Sequence, residues 1–355
     1  MNRMMTLGVG TDADRGGRGI YGLLTGEDGR FSGEARLLSE QRDVSCFCYD
    51  SERGVLYAGS APEGGEPGLA AAYQTASLKL ACFSCLVTAG GPLTHAAMPP
   101  ARDRLAVCSG QDASVQIYPL GEEGDLQPLF CMRRHAERST GPERRERRIG
   151  SAAFTPDGRY AVVCDQGTDQ LVVYYMDRDS TKLRLEREKT FCLPPGTGPR
   201  DLLFSPDGRQ AYVTGQHSHQ LLILVYDPEQ GFSLQDQRET GKSPEGLRLT
   251  ANGRDLYTVN RDEGTITHFR LTEEGLADRQ ESLPVGGTPR DLILGAEDRY
   301  LICALQEPDR LISLRRDPET GNLEPLDEYG TVPGPCCLQL WEALPRDCGE
   351  VCGNA

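Results

Sequence analysis

The chain of 355 residues lacks the features that mark several large classes of protein. No window approaches the roughly 18 uninterrupted apolar residues that a membrane-spanning helix needs. The first residues, Met1-Asn2-Arg3-Met4-Met5-Thr6-Leu7-Gly8, lack the apolar core of a secretory signal. Basic residues are in deficit: 38 Lys and Arg stand against 53 Asp and Glu, a formal charge of −15. General nucleic-acid binding neutralises phosphates with cations, so this balance argues against it. No long stretch holds a 3.6-residue apolar period, which excludes a helical architecture. Gly16-Gly17-Arg18-Gly19 lacks both the Lys-Ser/Thr and the following helix of a phosphate-cradling loop. Gly-x-Ser-x-Gly is missing too, so a serine nucleophile elbow is unsupported. These absences predict a soluble cytoplasmic protein, a monomer or weak homo-oligomer, with no nucleic-acid or membrane partner.

Cysteine is present, but not in the pattern of a disulfide framework. The 13 thiols are odd in number and lie in apolar runs such as Ala106-Val107-Cys108 and Val162-Val163-Cys164. Secreted frameworks pair their cysteines and occupy shorter chains. Cys82 and Cys85 have C-x-x-C spacing, and Cys348 and Cys352 lie near the C-terminus. A zinc site needs four ligands, and neither pair has the partners it would require. Reduced thiols and no metal are expected.

The strongest signal is internal repetition, which governs architecture before any single motif does. Gly196-Thr197-Gly198-Pro199-Arg200-Asp201 is answered 45 residues on by Gly241-Lys242-Ser243-Pro244-Glu245-Gly246, and after 45 more by Gly286-Gly287-Thr288-Pro289-Arg290-Asp291. Each hexad leads into a short apolar run, a turn such as Pro206-Asp207-Gly208 or Ala251-Asn252-Gly253, and a second apolar run. A polar turn and a third run follow. Short runs rich in β-branched and aromatic residues, bounded by Asp-Gly and Asn-Gly, are hairpin signals. Several antiparallel strands repeated every 45 residues or so describe a β-propeller blade.

Anchored on the second strand, the copies begin at Leu56, Leu105, Ala161, Ala211, Leu256 and Leu301. A seventh blade is assembled from both ends. Pro335-Cys336-Cys337-Leu338 supplies its first strand, and Leu7-Gly8-Val9-Gly10 with Gly19-Ile20-Tyr21-Gly22 its second and third. Closing the ring in this way removes exposed edges. The prediction is an all-β, seven-bladed β-propeller forming one domain over residues 1–355, with a charged insertion loop at 120–150 and a flexible tail at 342–355.

Several of these segments carry a family resemblance: Gly196-x-Gly-Pro-Arg200 before Phe204-Ser-Pro-Asp-Gly208, Asp165-Gln166-Gly167-Thr168-Asp169, Tyr257-Thr258-Val259-Asn260-Arg261 and Pro289-Arg290-Asp291. In order and spacing they resemble the seven-bladed propeller lactonases, which include bacterial 6-phosphogluconolactonases of this fold and the fungal carboxy-muconate cyclase. The resemblance implies opening or closing of a lactone ring on an acidic or phosphorylated substrate, without metal or organic cofactor. It carries the family's two arginines onto Arg200 and Arg261. Its histidine falls on Gly150, an upstream histidine of some members on Arg148, its glutamate on Gln216, and the histidine after Gly-Pro-Arg on Asp201. The cationic half of the implied site is kept and the acid/base half is rewritten.

Lactone hydrolysis needs an activated water and stabilisation of the charge that grows on the carbonyl oxygen. Arg200, Arg261 and Arg290 suit the second need, and their planar forks can also clamp a phosphate or carboxylate. Bracing between blades is the bland role for the same arginines. Asp201 and Asp165 are the candidate bases, with Gln216 orienting the water. Asp165 and Asp169 fit equally well as turn caps, and His217 or His219 could also reach the site. Within 120–150, Arg133-Arg134-His135 and Glu143-Arg144-Arg145-Glu146-Arg147-Arg148 form an arginine-rich run. Either it is a solvated loop whose charges pair among themselves, or it covers the mouth of the propeller and supplies Arg148 and His135 to a small anionic substrate. His95 and His268 are expected to pack. The leading expectation is a lactonase of the 6-phosphogluconolactonase type. The alternative is a propeller without catalysis that serves as a sugar-acid binding or protein-interaction scaffold.

Overall fold

A computed structural model describes residues 4–61, 66–135, 147–176, 183–275 and 277–342. Seven antiparallel sheets follow one another in the described residues. Blade 1 joins the two ends of the chain: Pro335–Glu342 pairs with Met4–Thr11, which pairs with Ile20–Gly26 and then Phe31–Ser39. The first strands of blades 2 to 7 are Val44–Asp50, Leu93–Ala97, Ile149–Phe154, Pro199–Phe204, Pro244–Leu249 and Thr288–Leu294. Each lies at one side of its sheet, and the following strands pair outward in chain order. The ring closure expected from sequence is thus present, as a pairing of Leu7 with Leu340 and Val9 with Leu338. Only two short 3-10 turns, Ala13–Arg15 and Ala296–Asp298, interrupt the β-structure of the described residues.

The alternation within the second and third strands explains why the blades stack. Each such strand sends apolar side chains to both faces, so every blade must be covered on two sides. Seven hydrophobic clusters result among the described residues, one at each interface between neighbouring blades. The closing blade shows this on both sides. Leu7, Val9 and Leu23 pack with Ile302 and Ala304 of blade 7, while Ile20 and Trp341 pack with Val44 and Ala58 of blade 2. Tyrosines on the second strands add a polar lock. Tyr57, Tyr212 and Tyr257 each donate a hydroxyl hydrogen to a turn carbonyl of the next blade, at Gly124, Gly275 and Gly321. Buried tyrosine needs such a partner.

The turns behave as the sequence suggests. Asp157 Oδ1 accepts the Thr155 hydroxyl and the Arg159 N–H, and Gly158 takes the left-handed backbone that the turn requires, with φ of 67°. One expectation is corrected. The 120–150 segment is not simply an insertion loop: its Cys131–Arg134 is the outer strand of blade 3, paired with Ser114–Ile117. Arg133 donates to the Leu183 carbonyl of blade 4, so it braces two blades. Residues 136–146 of that segment, and the tail from 343, lie outside the described residues.

Candidate active site

The feature that builds the site is a β-bulge. In all seven blades the register between the first and second strands slips at the same place, near the start of the first strand. A bulge inserts an unpaired residue and re-aims its side chain. Here the re-aimed residues face the axis of the ring: Arg200-Asp201 in blade 5, Glu245-Gly246 in blade 6, Arg290-Asp291 in blade 7, and Thr94-His95 in blade 3 line one chamber. That inner chamber, of about 150 Å³, opens into an outer cleft of about 850 Å³, and the two share Arg200, Glu245 and Arg290 as a common wall.

Among the described residues, five guanidinium groups line the outer cleft; Arg15 is paired with Glu307, and Arg148, Arg200, Arg261 and Arg290 lie close enough to act on one another. Five carboxylates line it too, those of Asp12, Asp14, Glu245, Asp262 and Glu307, and Glu245 is the one set between two of the arginines. Glu245 is buried, and its oxygens lie 3.9 Å from Arg261 Nη1 and 3.5 Å from Arg290 Nη1. Gln216 Nε2 donates to Glu245 Oε1 at 2.9 Å, while Gln216 Oε1 accepts from Gln166 Nε2. Arg200 Nη1 donates to the Gly150 carbonyl at 3.0 Å. Arg148 reaches solvent, yet the cleft walls strip part of its hydration, and together with the nearby Arg200 this lowers its pKa from the ordinary guanidinium value. A guanidinium stays charged regardless. The cleft lining as a whole is balanced, five arginines against five carboxylates, in a chain whose total is −15.

The inner chamber is balanced too, with Arg200, Arg248 and Arg290 against Asp201, Glu245 and Asp291. Asp291 pairs with Arg248 at 2.8 Å and accepts the Leu338 N–H of blade 1. Burial raises the Asp291 pKa, and Arg248 only partly offsets that. Asp201 accepts main-chain N–H groups on both oxygens, from Leu202 and from Leu247 of the next blade. His95 lies across from it, with Nε2 at 4.0 Å from Asp201 Oδ1 and Nδ1 accepting the Ala152 N–H at 3.4 Å. Cys46 and Cys337 complete this wall, and burial pushes the Cys46 thiol up to about 12, so it is inert as a nucleophile.

The structure gathers Arg200, Arg261, Arg290, Arg148, Asp201 and Gln216 around the joined cavity. It does not bring the remaining expected residues there. Asp165 and His135 are both buried and pair with each other at 2.7 Å, with His135 Nε2 on the Tyr174 hydroxyl at 2.8 Å. They form a lock between blades 3 and 4 and line neither cavity. Asp169 accepts the Gly196 and Gly198 N–H groups, which makes it a cap for the strand-entry loop of blade 5. His219 accepts the Ser243 N–H instead of facing the cleft. His268 packs as expected, stacked on Tyr257 and bonded to Asp255. His95 departs from its expected packing role, because the bulge in blade 3 turns it to the axis. Among the described residues, no three His, Cys, Asp or Glu side chains are arranged to hold a metal ion, and no helix is long and apolar enough to cross a membrane.

Comparison with known proteins places this cavity in context. The family model for the lactonase, 7-bladed beta-propeller, matches residues 6–340. The chain belongs to that family. Among curated lactonase relatives, the 6-phosphogluconolactonase of Bacillus subtilis is 26% identical over 346 residues, covering 94% of this chain and 97% of its own length. A 6-phosphogluconolactonase of Formosa agariphila is 24% identical over 329 residues, covering 87% of this chain and 92% of its own. Among solved structures, the periplasmic gluconolactonase of Pseudomonas aeruginosa superposes with a TM-score of 0.88 at 25% identity, covering 96% of this chain and all of that one.

Two residues of this cavity escaped the sequence reading. Glu245 had a visible signal: it occupies the place in its hexad that Arg200 and Arg290 hold in theirs. His95 had a weaker one, since its blade carries no hexad and only the hairpin register aligns it with Asp201.

Proposed function

We propose that this protein is a lactone hydrolase of the 6-phosphogluconolactonase type, acting on a sugar lactone or similar cyclic ester that carries negative charge. The observation that carries the reading is that Arg261 and Arg290 converge on Glu245 in a cleft that Arg200 also lines. The family membership and the names of the relatives support the substrate class. An odd complement of thiols, none disulfide-bonded among the described residues, supports a cytoplasmic location.

In this reading Glu245 takes the role that the sequence assigned to Asp201 or Asp165. Asp201 has both oxygens committed to main-chain N–H groups, and Asp165 is sealed against His135. Glu245 accepts a proton from water as the water oxygen bonds to the lactone carbonyl carbon. The carbonyl oxygen gains negative charge opposite Arg200 and Arg290, and Arg148 and Arg261 hold the remote anionic group. The ring C–O bond then breaks, and the ring oxygen takes the proton that Glu245 accepted, which gives the hydroxy acid and returns Glu245 to its carboxylate. General-base assistance contributes typically 100- to 10,000-fold. Gln216 fixes the carboxylate through its amide hydrogen bond instead of orienting the water directly.

The test is hydrolysis of δ-gluconolactone and its 6-phosphate, each followed against its spontaneous rate, with Arg261→Ala alongside. Turnover above background that drops in the variant supports the reading. A rate equal to background for both lactones, with 6-phosphogluconate still bound, would favour the sugar-acid binding scaffold.

A further inference from the structure

We propose that His95 is a catalytic residue of this site, presenting its Nε2–H to the oxygen that becomes negative as the lactone opens. The inference rests on the lactonase reading and goes beyond it, because the relevant imidazole comes from blade 3, away from the positions where family resemblance looks for one.

Three observations carry it. The first is steric. A Cβ built on Gly150 would lie 2.4 Å from the Arg200 carbonyl oxygen and 2.8 Å from that of Pro199, so position 150 has no room for an imidazole, and the other residue of that bulge is Ser151. The space beside Arg200 is therefore served from a neighbouring blade, and His95 lines the same chamber as Arg200, Glu245 and Arg290. The second is the tautomer. Nδ1 accepts the Ala152 N–H, so in the neutral ring the proton sits on Nε2. The third is orientation. Nε2 stands 4.0 Å from Asp201 Oδ1, and Asp201 is pinned by N–H groups from two blades. That fixed carboxylate holds the proton on Nε2 without engaging it in a close hydrogen bond, leaving Nε2–H free to turn to a ligand oxygen.

The charges facing the ring are mixed. Asp201 and Arg200 come from blade 5, Arg248 and Glu245 from blade 6, Asp291 and Arg290 from blade 7, and thiols of Cys46 and Cys337 from blades 2 and 1. Burial lowers the imidazole pKa, Arg200 and Arg248 push the same way, and Asp201 opposes them. The neutral, Nε2–H form therefore persists to below the ordinary imidazole value. Protonation would place a hydrogen on Nδ1 against the Ala152 N–H and displace the ring.

The experiment compares wild type, His95→Ala and His95→Gln for kcat, KM and the pH dependence of kcat/KM on the lactone that the wild type hydrolyses, with a thermal melt for folding. Removing one oxyanion donor typically costs about 100- to 1,000-fold in kcat. The expected result is a loss of this order in kcat for His95→Ala at nearly unchanged KM, and at least tenfold recovery in His95→Gln, whose amide keeps an N–H. Wild type should also lose activity on acidification, with the limb lying below the ordinary imidazole value because the ring is held neutral, and His95→Gln should lack that limb. Wild-type hydrolysis with unaltered kcat in folded His95→Ala overturns the role of His95 alone. If His95→Ala fails to fold, an acid limb retained in His95→Gln overturns it equally. A wild type without hydrolysis of either lactone overturns the lactonase reading and this role together.

Discussion

Gln216 Nε2 donates to Glu245 Oε1 across 2.9 Å, tying blade 5 to blade 6 where the outer cleft meets the inner chamber. The hydrogen bond leaves the second oxygen of Glu245 toward Arg290 and the cavity. Replacing Glu245 by Gln keeps the shape and removes the proton acceptor. The expected outcome is a fall in kcat of about 100- to 10,000-fold. Affinity for 6-phosphogluconate, measured by calorimetry, should hold or rise, since one negative charge has left the cleft.

The arginines are expected to separate by task. Arg261 is exposed at the cleft and Arg290 is half-buried. Arg261→Ala should raise KM for the phosphorylated lactone more than for δ-gluconolactone. A hydrogen bond to a charged group contributes about 1.5–3 kcal/mol, which corresponds to roughly 10- to 150-fold. Arg290→Lys should fall in kcat as well, because a point charge cannot reproduce the guanidinium fork. Steady-state kinetics on both substrates checks the split.

Gly150→His should fail to restore an imidazole to blade 4. Its Cβ would meet main-chain oxygens of blade 5 within 2.4 Å and 2.8 Å, and backbone cannot move aside as a flexible side chain can. Overpacking of this kind costs typically about 1–3 kcal/mol. Chemical denaturation should show that loss, with no gain in activity.

A buried charge cluster between blades 6 and 7 sets an acid limit on stability. Asp255 is fully buried, and burial alone would raise its pKa. Hydrogen bonds from His268, Arg316 and Arg270 outweigh that and hold it at about 2. A depressed carboxyl pKa stabilises the fold above the unfolded value near 3.8 and loses that contribution as pH falls through the folded one. Roughly 2 kcal/mol is at stake, at about 1.4 kcal/mol per pKa unit. Unfolding free energy should decline between pH 4 and 2 in wild type. Asp255→Asn should be less stable at pH 7 and show a shallower decline over that window.

The fold was legible because blades repeat. The hexads at 196, 241 and 286 and the Asp-Gly and Asn-Gly turns mark three blades directly, and apolar second strands extend the count around the ring, including the strand pairing of Leu7 with Leu340. The site was legible where it coincides with the repeat, as at Arg200 and Arg290. It was obscure where a side chain's direction depends on the bulge or on a neighbouring blade. Asp165 ends a second strand and reads as an exposed turn carboxylate, yet His135 folds over it and Tyr174 seals the pair. His95 reads as an isolated residue in a short strand, yet the register slip between Leu93 and His95 turns it inward. Neither contact leaves a local pattern in the chain.

The most direct test of the axial cleft as the place of lactone opening is a crystal structure of the protein soaked with 6-phosphogluconate. The expected density lies in the cleft, with its anionic groups within hydrogen-bond distance of Arg200, Arg261 or Arg290 and its carboxyl carbon beside Glu245. Density bound elsewhere on the ring, or a cleft still without ligand at saturating concentration, would contradict the assignment.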